Sequence, residues 1–496
     1  MVDSSSCSCN GVSNNIKQDV TRRAVNKGAL WAVPVITAVA TVPAHAASED
    51  SVVDIQFLDG PYKLNSCDEL NDVQLLVTVS EGSLPAFANV TLPAGLEFSD
   101  GLGSPRDLPV DADTGFVNLP AIKSANGDDG IFKLSATAST ASTSSEVRVA
   151  SPKTIRFVNI NGVLGSAYPD LPNGAEPLEF SNANSIVWAL GNDGVLYRRS
   201  LTNYTVAWTP VISNVDVMAQ SRTHGSGVVY LQDGTFQHIT QAGAVDTYVY
   251  PALPNGRVMV DMQTVGTGSV GSTLGRVWII DDQGNFYDRD IDDTGSWTAV
   301  SSVPSASIMA ISDTELGGVV AQESGQIRGI WTQQFVYPAL PTGVTAKKLD
   351  VAGGGSTGRV TLVLGSDDVM YHRLGTNTSA AWTVVATDVA NMSQSYNHPS
   401  SVLVKKDGTI QHIADDGVLN WTYPSLPTGV EAVDIQVTGY ASEGNIWIRG
   451  SDNNMYFRQS VNQTAAWTVV TSDVLLMAKS HTANNGIIMT ADGCTT

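Results

Sequence analysis

Tyrosine and arginine recur together in the second half of the chain, separated by one residue, in a pattern that could bind a sugar. Residues two apart in a strand point to the same side of it, so each pair would present an aromatic ring beside a guanidinium group. The ring can stack on the apolar face of a pyranose, and the guanidinium can donate hydrogen bonds to the hydroxyls. The pairs are Tyr197 and Arg199, Tyr287 and Arg289, Tyr371 and Arg373, and Tyr456 and Arg458.

A Trp-Thr dipeptide follows each pair within nine residues and offers a second aromatic face. Four equivalent weak sites would gain avidity by acting together. Packing between repeated units also needs large side chains at equivalent positions, and this structural role is the alternative to sugar binding. The tryptophans are Trp208, Trp297, Trp382 and Trp467.

Residues that could catalyse a reaction or hold a metal are not grouped in the sequence. A hydrolase needs a nucleophile, a base and an orienting group that converge, but the histidines after residue 46 are scattered. Acidic runs at 127–130 and 290–295 could offer oxygen ligands to Ca²⁺. They match no defined calcium loop, and ordinary turn acidity is the alternative. The sequence therefore predicts a binding protein, not an enzyme, with no metal and no cofactor. The histidines are His224, His238, His372, His398, His412 and His481.

The first 46 residues resemble a twin-arginine export signal. Arg22 and Arg23 precede an apolar run at 29–42, and Ala44-His45-Ala46 has the small residues that signal peptidase reads. A membrane anchor is the alternative, but a span needs about 20 apolar residues. We therefore expect a signal peptide over 1–46 and a secreted or extracellular protein, which could stay attached to the cell surface.

The charge of the chain restricts its partners. The net charge is −21, and removal of residues 1–46 takes away four basic and two acidic side chains to leave −23. Such a surface repels phosphate backbones and anionic lipid. Nucleic acid and membrane surfaces are therefore poor partners, no later segment is apolar enough to span a membrane, and a glycan or a surface protein is the expected partner.

Two cysteines remain after the predicted cleavage, Cys67 and Cys494. Outside the cell a pair of thiols tends to oxidise, and Cys494 lies at the end of the repeat array described next. We predict a disulfide that ties the N-terminal unit to that end. Two unpaired cysteines are the alternative.

From Thr154 onward the chain is a repeat whose last copy is completed by residues of its first. Tyr-Pro-x-Leu-Pro recurs at Tyr168, Tyr250, Tyr337 and Tyr423, and the final unit stops at Gly493. Residues 154–169 align without a gap onto 409–424 and supply the missing stretch. The array therefore closes on itself, which indicates a β-propeller sealed by strands from both ends.

The intervals between these motifs hold two halves each. One four-stranded blade needs roughly 40–45 residues, so we predict an all-β fold with an eight-bladed β-propeller over 154–496. The order Ile-Trp, turn, Tyr-x-Arg and Trp-Thr resembles the tectonin-type propeller repeat. That family includes sugar-binding lectins, and the resemblance implies lectin-like carbohydrate binding. Propellers of the chromosome-condensation-regulator type share the Asp-Gly turns and are the alternative family.

Residues 50–150 lack the repeat. Short alternating runs at 52–57, 73–79 and 131–136, separated by turn-forming residues, predict a small antiparallel sandwich. The segments 89–96 and 130–138 resemble bacterial immunoglobulin-like domains of surface and invasin-type proteins. The boundary is placed at residues 150–152, before the first repeat.

Two functions fit these observations. The first is a lectin-like protein that binds glycans through the repeated aromatic and arginine sites. The second is a protein-interaction or surface-structural propeller without sugar binding, in which a face of the ring docks a protein.

Overall fold

The computed structural model describes most of the chain after residue 51. The described ranges are 52–125, 129–221, 225–266, 275–291, 293–312, 317–330, 334–355, 358–374, 378–395, 401–414, 416–438, 444–480 and 485–491. The predicted signal peptide lies outside them. The described chain is all-β, with only two short 3₁₀ segments, Pro172–Gly174 and Pro254–Gly256. Over these ranges no helix has the length and apolar character needed to cross a membrane.

The N-terminal unit contains three small sheets around one hydrophobic core. The sheets have the strand orders β1-β4-β8, β2-β11-β10-β5-β7 and β3-β9-β6, with the bounds given at the end of this paragraph. The core draws only on residues between Ile55 and Val149, so this unit buries its own apolar side chains. The strands are β1 Val53–Phe57, β2 Tyr62–Asn65, β3 Glu69–Leu70, β4 Gln74–Val79, β5 Phe87–Thr91, β6 Leu96–Phe98, β7 Arg106–Pro109, β8 Phe116–Asn118, β9 Ile122–Ser124, β10 Gly130–Ala138 and β11 Ala141–Ala150.

The remaining strands begin at Lys153, three residues after β11 ends at Ala150. They are β12 Lys153–Val158, β13 Leu164–Ala167, β14 Pro177–Ala183, β15 Ile186–Gly191, β16 Leu196–Ser200, β17 Thr209–Ile212, β18 Val215–Gln220, β19 Gly227–Leu231, β20 Phe236–Ile239, β21 Val245–Tyr250, β22 Met259–Gly266, β23 Gly275–Asp281, β24 Phe286–Asp290, β25 Ala306–Ile311, β26 Gly318–Gln322, β27 Ile327–Ile330, β28 Gln334–Val336, β29 Ala346–Gly355, β30 Gly358–Gly365, β31 Met370–Leu374, β32 Thr383–Ala386, β33 Val389–Gln394, β34 Ser401–Lys405, β35 Ile410–Ile413, β36 Leu419–Thr422, β37 Ala432–Thr438, β38 Asn445–Gly450, β39 Met455–Gln459, β40 Thr468–Thr471, β41 Val474–Lys479 and β42 Gly486–Ala491.

These strands form a succession of antiparallel sheets, and all but one have four strands among the described residues. The exception is β22-β23-β24, where a single bridge from Tyr287 to Ala299 replaces the fourth strand. The corresponding segments elsewhere are rich in β-branched residues, such as the Thr-Val-Val of β32 and β40, whereas this one reads Thr-Ala-Val-Ser-Ser. Alanine and serine favour a strand less strongly than valine and threonine.

The sheets are arranged in a ring. The first strand of each sheet contacts the first strand of the next, in the order β14, β18, β22, β25, β29, β33, β37 and β41, and β41 contacts β14 again. The innermost strands thus surround a common centre, and the fold is propeller-like.

The ring closes as the sequence predicted. β12, from the start of the array, pairs antiparallel with β42, from its end, through six residue pairs from Lys153 with Ala491 to Val158 with Gly486. β41 pairs with the other side of β42, and β13 extends the sheet outward in the order β13-β12-β42-β41. The prediction that the final strand finds its ladder partner near residue 155 is therefore confirmed.

A turn glycine helps to fit the closing sheet against its neighbour. Gly162 lies in the β12–β13 turn with φ of 71°, and a Cβ there would lie 2.4 Å from the ring of Phe457 on β39. Gly417 also has a positive φ, of 80°, and a Cβ there would lie 2.3 Å from Nδ1 of His372 on β31. A side chain at either position would need both an unfavourable backbone conformation and displacement of the ring beneath it.

Cys67 is disulfide-bonded. Its partner is outside the described residues, as are Cys7, Cys9 and Cys494, so the pairing with Cys494 stays a prediction. Peptide mapping of the non-reduced protein by mass spectrometry is expected to recover the Cys67 peptide linked to the Cys494 peptide, and a reduced sample is the control. A link from Cys67 to Cys7 or Cys9 would contradict the proposed tie between the N-terminal unit and the ring.

Candidate functional site

The Tyr-x-Arg pairs lie inside the ring's sheets and not on its surface. The four tyrosines are 1–3 % exposed and the four arginines 3–6 % exposed. Trp208 and Trp297 are buried, and Trp382 and Trp467 are half-buried. The structure therefore brings the predicted residues close together in each repeat, but it buries the Tyr-x-Arg side chains and leaves only Trp382 and Trp467 partly accessible.

Each arginine guanidinium lies against the faces of two rings that do not belong to its own Tyr-x-Arg pair. One ring is the tyrosine of the preceding Tyr-Pro-x-Leu-Pro motif, and the other is the tryptophan of the following Trp-Thr dipeptide. We call this three-residue unit the arginine clamp. The distances from Cζ to the tyrosine and tryptophan ring centroids are 4.1 and 5.1 Å for Arg199, 5.4 and 4.3 Å for Arg289, 4.3 and 5.0 Å for Arg373, and 4.4 and 4.9 Å for Arg458.

The clamps join consecutive sheets. Tyr168 follows β13, in the closing sheet, whereas Arg199 is on β16, in the next sheet. The tryptophan strengthens the same junction, because its Nε1 donates a hydrogen bond of 2.7–2.8 Å to the proline carbonyl of Tyr-Pro-x-Leu-Pro in all four repeats. The hydroxyl of Tyr168 donates to the carbonyl oxygen of Leu201 at 2.7 Å, and Tyr423 donates to that of Ser460 at 2.8 Å. These contacts assign a structural role to the repeated Tyr-Pro-x-Leu-Pro motif: it joins consecutive sheets.

The tyrosines of the Tyr-x-Arg pairs donate hydrogen bonds to aspartates in the turns. The hydroxyls of Tyr197, Tyr371 and Tyr456 each donate a 2.6 Å hydrogen bond to the aspartate four residues earlier. Tyr287 donates to Asp281 at 3.0 Å. Burial, followed by the hydrogen bond to the carboxylate, raises the pKa of both Tyr197 and Tyr287 to about 12. These hydroxyls are therefore neutral donors at any physiological pH and are poorly suited to act as bases.

The clamped guanidinium groups are taken out of water. Burial lowers the pKa of Arg199, Arg373 and Arg458 from its ordinary value, and the two neighbouring rings compensate part of the lost hydration. A desolvated cation–π contact contributes about 2 kcal/mol or more. Arg289 also pairs with the carboxylate of Asp293 at 2.9 Å.

The described histidines are part of the packing. His238 is 1 % exposed, its Nδ1 lies 3.0 Å from Oδ2 of Asp246, and burial lowers its pKa. The ring of His412 stacks on Trp421 at 4.0 Å. Over the described ranges no three His, Cys, Asp or Glu side chains form a group that could hold a metal ion. His224, His398 and His481 and parts of both acidic runs fall on residues that are not described.

A pocket of about 220 Å³ lies where the first strands of three sheets meet, β37, β41 and β14. We call it the seam pocket, because β41 belongs to the closing sheet. Its lining combines several polar groups with an apolar patch that includes Leu178, Leu475 and Leu476. The polar residues are Glu179, Ser181, Asp434, Gln436, Arg449 and Lys479.

Gln436 fixes the wall of this pocket. Its Nε2 donates to the carbonyl oxygen of Met477 and to Oδ2 of Asp434, both at 3.0 Å, and its Oε1 accepts from the amide of Lys479 at 2.8 Å. Nζ of Lys479 donates in turn to the carbonyl oxygens of Gln394 and Val437, both at 3.0 Å. The polar groups are therefore held in place by the strands that carry them.

No protein-family model matches the chain, and no curated protein does. Among solved structures, it is similar to human WBSCR16 at 7 % identity, covering 69 % of this chain and 99 % of that one with a TM-score of 0.40. It is similar to apo AztD from Citrobacter koseri at 9 % identity, covering 69 % and 100 % with a TM-score of 0.44. It is also similar to the dihydro-heme d1 dehydrogenase NirN in complex with DHE at 11 % identity, covering 64 % and 73 % with a TM-score of 0.47. The fold assignment rests on the strand pairing of the chain itself.

Proposed function

We propose that this protein is an exported, non-catalytic binding protein of lectin type. In this proposal an immunoglobulin-like sandwich precedes an eight-bladed β-propeller of tectonin-like repeats, and the ligand is a carbohydrate. The eight first strands that contact one another in a cycle, and the pairing of β12 with β42, support the propeller.

The observation that carries the proposed ligand class is the lining of the seam pocket. Carboxylate, amide and guanidinium groups are the side chains that hydrogen-bond sugar hydroxyls, and an apolar patch suits the C–H face of the ring. The seam pocket brings these groups together from three sheets. In this proposal the arginine clamps are structural: they hold consecutive sheets together, and the pocket binds the ligand.

A glycan array probed with the full-length protein is expected to give binding to a subset of glycans. Asp434→Asn keeps the size of a pocket side chain and removes its charge, so we expect affinity for those glycans to fall about tenfold or more, as for loss of a charged hydrogen bond. Asp216→Asn is the matched control, because Asp216 lies exposed on the first strand of another sheet. It should bind like the unmodified protein.

A blank across neutral and acidic glycans would contradict the proposal. It would favour the second function, in which a face of the ring docks a protein. Equal loss of affinity in the two asparagine variants would also contradict it, since Asp216 does not line the pocket.

A further inference from the structure

We infer that the seam pocket binds a carboxylate-bearing ligand, an acidic sugar of the uronic acid class, with the carboxylate on Arg449. The sugar part of this inference rests on the proposed function, but the carboxylate part does not.

The repeat itself marks Arg449 as an exception. Arg449 on β38 pairs with Asp434 on β37. At the same place in the other three long repeats the paired residue of the second strand is aliphatic: Leu190, Ile280 and Leu364. Those three side chains are 5, 2 and 4 % exposed. The fold therefore needs only an apolar side chain at this position, and a guanidinium there has no packing role that leucine does not already fill.

The guanidinium of Arg449 is not used by the protein's own structure. Within the described ranges Arg449 makes no side-chain hydrogen bond and no ion pair, although it is half-buried in the wall of the pocket. Its strand neighbour Asp434 accepts from Gln436. An arginine presents five donors in a planar fork, so a group with paired acceptor oxygens is the natural partner for this side chain.

A second cation distinguishes the same pocket. Lys479 ends β41, and the residues at its position in the other repeats are neutral: Gln220, Ile311 and Gln394. Its Nζ donates to the carbonyl oxygens of Gln394 and Val437, which hold the ammonium group at the pocket. β41 is also the most accessible of these four strands. Met477 is half-buried, whereas Met218, Met309 and Met392 are at most 3 % exposed.

The arrangement favours a singly charged, planar anion. A carboxylate matches the guanidinium fork through two parallel hydrogen bonds. The carboxylates of Glu179 and Asp434 also line the pocket, so a doubly charged phosphate would meet more repulsion than a carboxylate. The carboxylate of Asp434 can instead accept hydrogen bonds from hydroxyls, and Leu475 and Leu476 offer an apolar wall to the sugar ring. A uronic acid carries the complementary groups: one carboxylate, several hydroxyls and an apolar ring face.

The test compares matched sugars with the full-length protein in calorimetric or NMR titrations. The probes are the methyl glycosides of glucuronate, galacturonate and mannuronate, each beside its neutral hexose. We expect at least one uronate to bind about tenfold or more tightly than its neutral partner, as for a charge-assisted bidentate contact. Arg449→Leu installs the residue that Leu190 and Leu364 already provide, so the fold should be kept while this preference is lost. Arg148→Leu, at an exposed position of β11, is the matched control and should keep the preference.

The outcomes separate the inference from the proposed function. Equal binding of the uronates and their neutral partners, or a preference that survives Arg449→Leu, overturns the inference and leaves carbohydrate binding intact. Cyclohexanecarboxylate carries a carboxylate on an apolar ring without hydroxyls. If it binds as tightly as the best uronate and depends on Arg449, the carboxylate site stands and the sugar function fails. If none of these probes binds, both fail.

Discussion

Ile488→Pro is expected to destabilise the ring by at least about 4 kcal/mol. Ile488 lies in the middle of β42, where it pairs with Arg156 on one side and Met477 on the other, and its side chain is fully buried. Proline removes a ladder hydrogen bond and does not fit the interior of a sheet. It also replaces a side chain whose loss from a core costs about 2–5 kcal/mol. Because β42 is the strand that joins both ends of the array, the whole ring should lose stability.

Hydrogen exchange measured by mass spectrometry can localise this effect. Amides of β12 and β42 should lose protection together, because each is the other's ladder partner. The N-terminal unit, which has its own core, should keep its protection. Ile488→Val is the control: it keeps the ladder and removes one methyl group, which costs about 1 kcal/mol. If proline and valine variants showed the same protection in residues 153–158, ring closure would not depend on this strand.

The closure of the ring could be predicted from sequence because residues at the start of the array align with the part of the repeat that its last copy lacks. Residues 154–169 complete the last copy of the repeat, and the structure pairs Lys153–Val158 with Gly486–Ala491. The division of the array into repeated sheets could also be predicted, since the Tyr-Pro-x-Leu-Pro and Trp-Thr motifs recur at similar intervals. The missing fourth strand after β24 could not, because a Trp-Thr motif at Trp297 gives no measure of the weaker strand propensity of the residues that follow it.

The burial of the Tyr-x-Arg pairs could not be predicted from their spacing. Alternation in a strand says that two side chains share a side but not what covers that side. In a ring of sheets both faces of each sheet are covered by neighbouring sheets, so an alternating pattern carries no information on exposure. Arg449 could not be recognised from sequence for the same reason. It differs from its equivalents only once the pairing of first and second strands shows that Leu190, Ile280 and Leu364 occupy its position in the other repeats.

Arg458→Ala should lower the free energy of unfolding of the ring by about 2–4 kcal/mol. The guanidinium of Arg458 lies 4.4 Å from the ring centroid of Tyr423 and 4.9 Å from that of Trp467, and the residue is 3 % exposed. The alanine variant loses two desolvated cation–π contacts and the packing of the buried aliphatic stem. Chemical denaturation followed by tryptophan fluorescence measures the change, since Trp467 is part of the clamp.

Two further variants test the explanation. Arg458→Met keeps most of the volume without the charge, so it should recover part of the lost stability, and the remainder reports the cation–π contribution. Arg148→Ala removes an exposed arginine from the N-terminal unit and should change stability by no more than about 0.5 kcal/mol. An Arg458→Ala protein as stable as the Arg148→Ala protein would show that the clamp contributes nothing to the ring.

The four clamps should also act independently, because they share no residues and lie in different pairs of sheets. Distant sites without common partners usually add within about 0.5 kcal/mol. The double variant Arg289→Ala with Arg458→Ala is therefore expected to lose the sum of the two single losses, of which the Arg289 part includes its ion pair with Asp293. A loss much smaller than the sum would mean that one broken junction already loosens the ring. In that case the stability of the propeller-like fold would lie in its closure more than in its individual junctions.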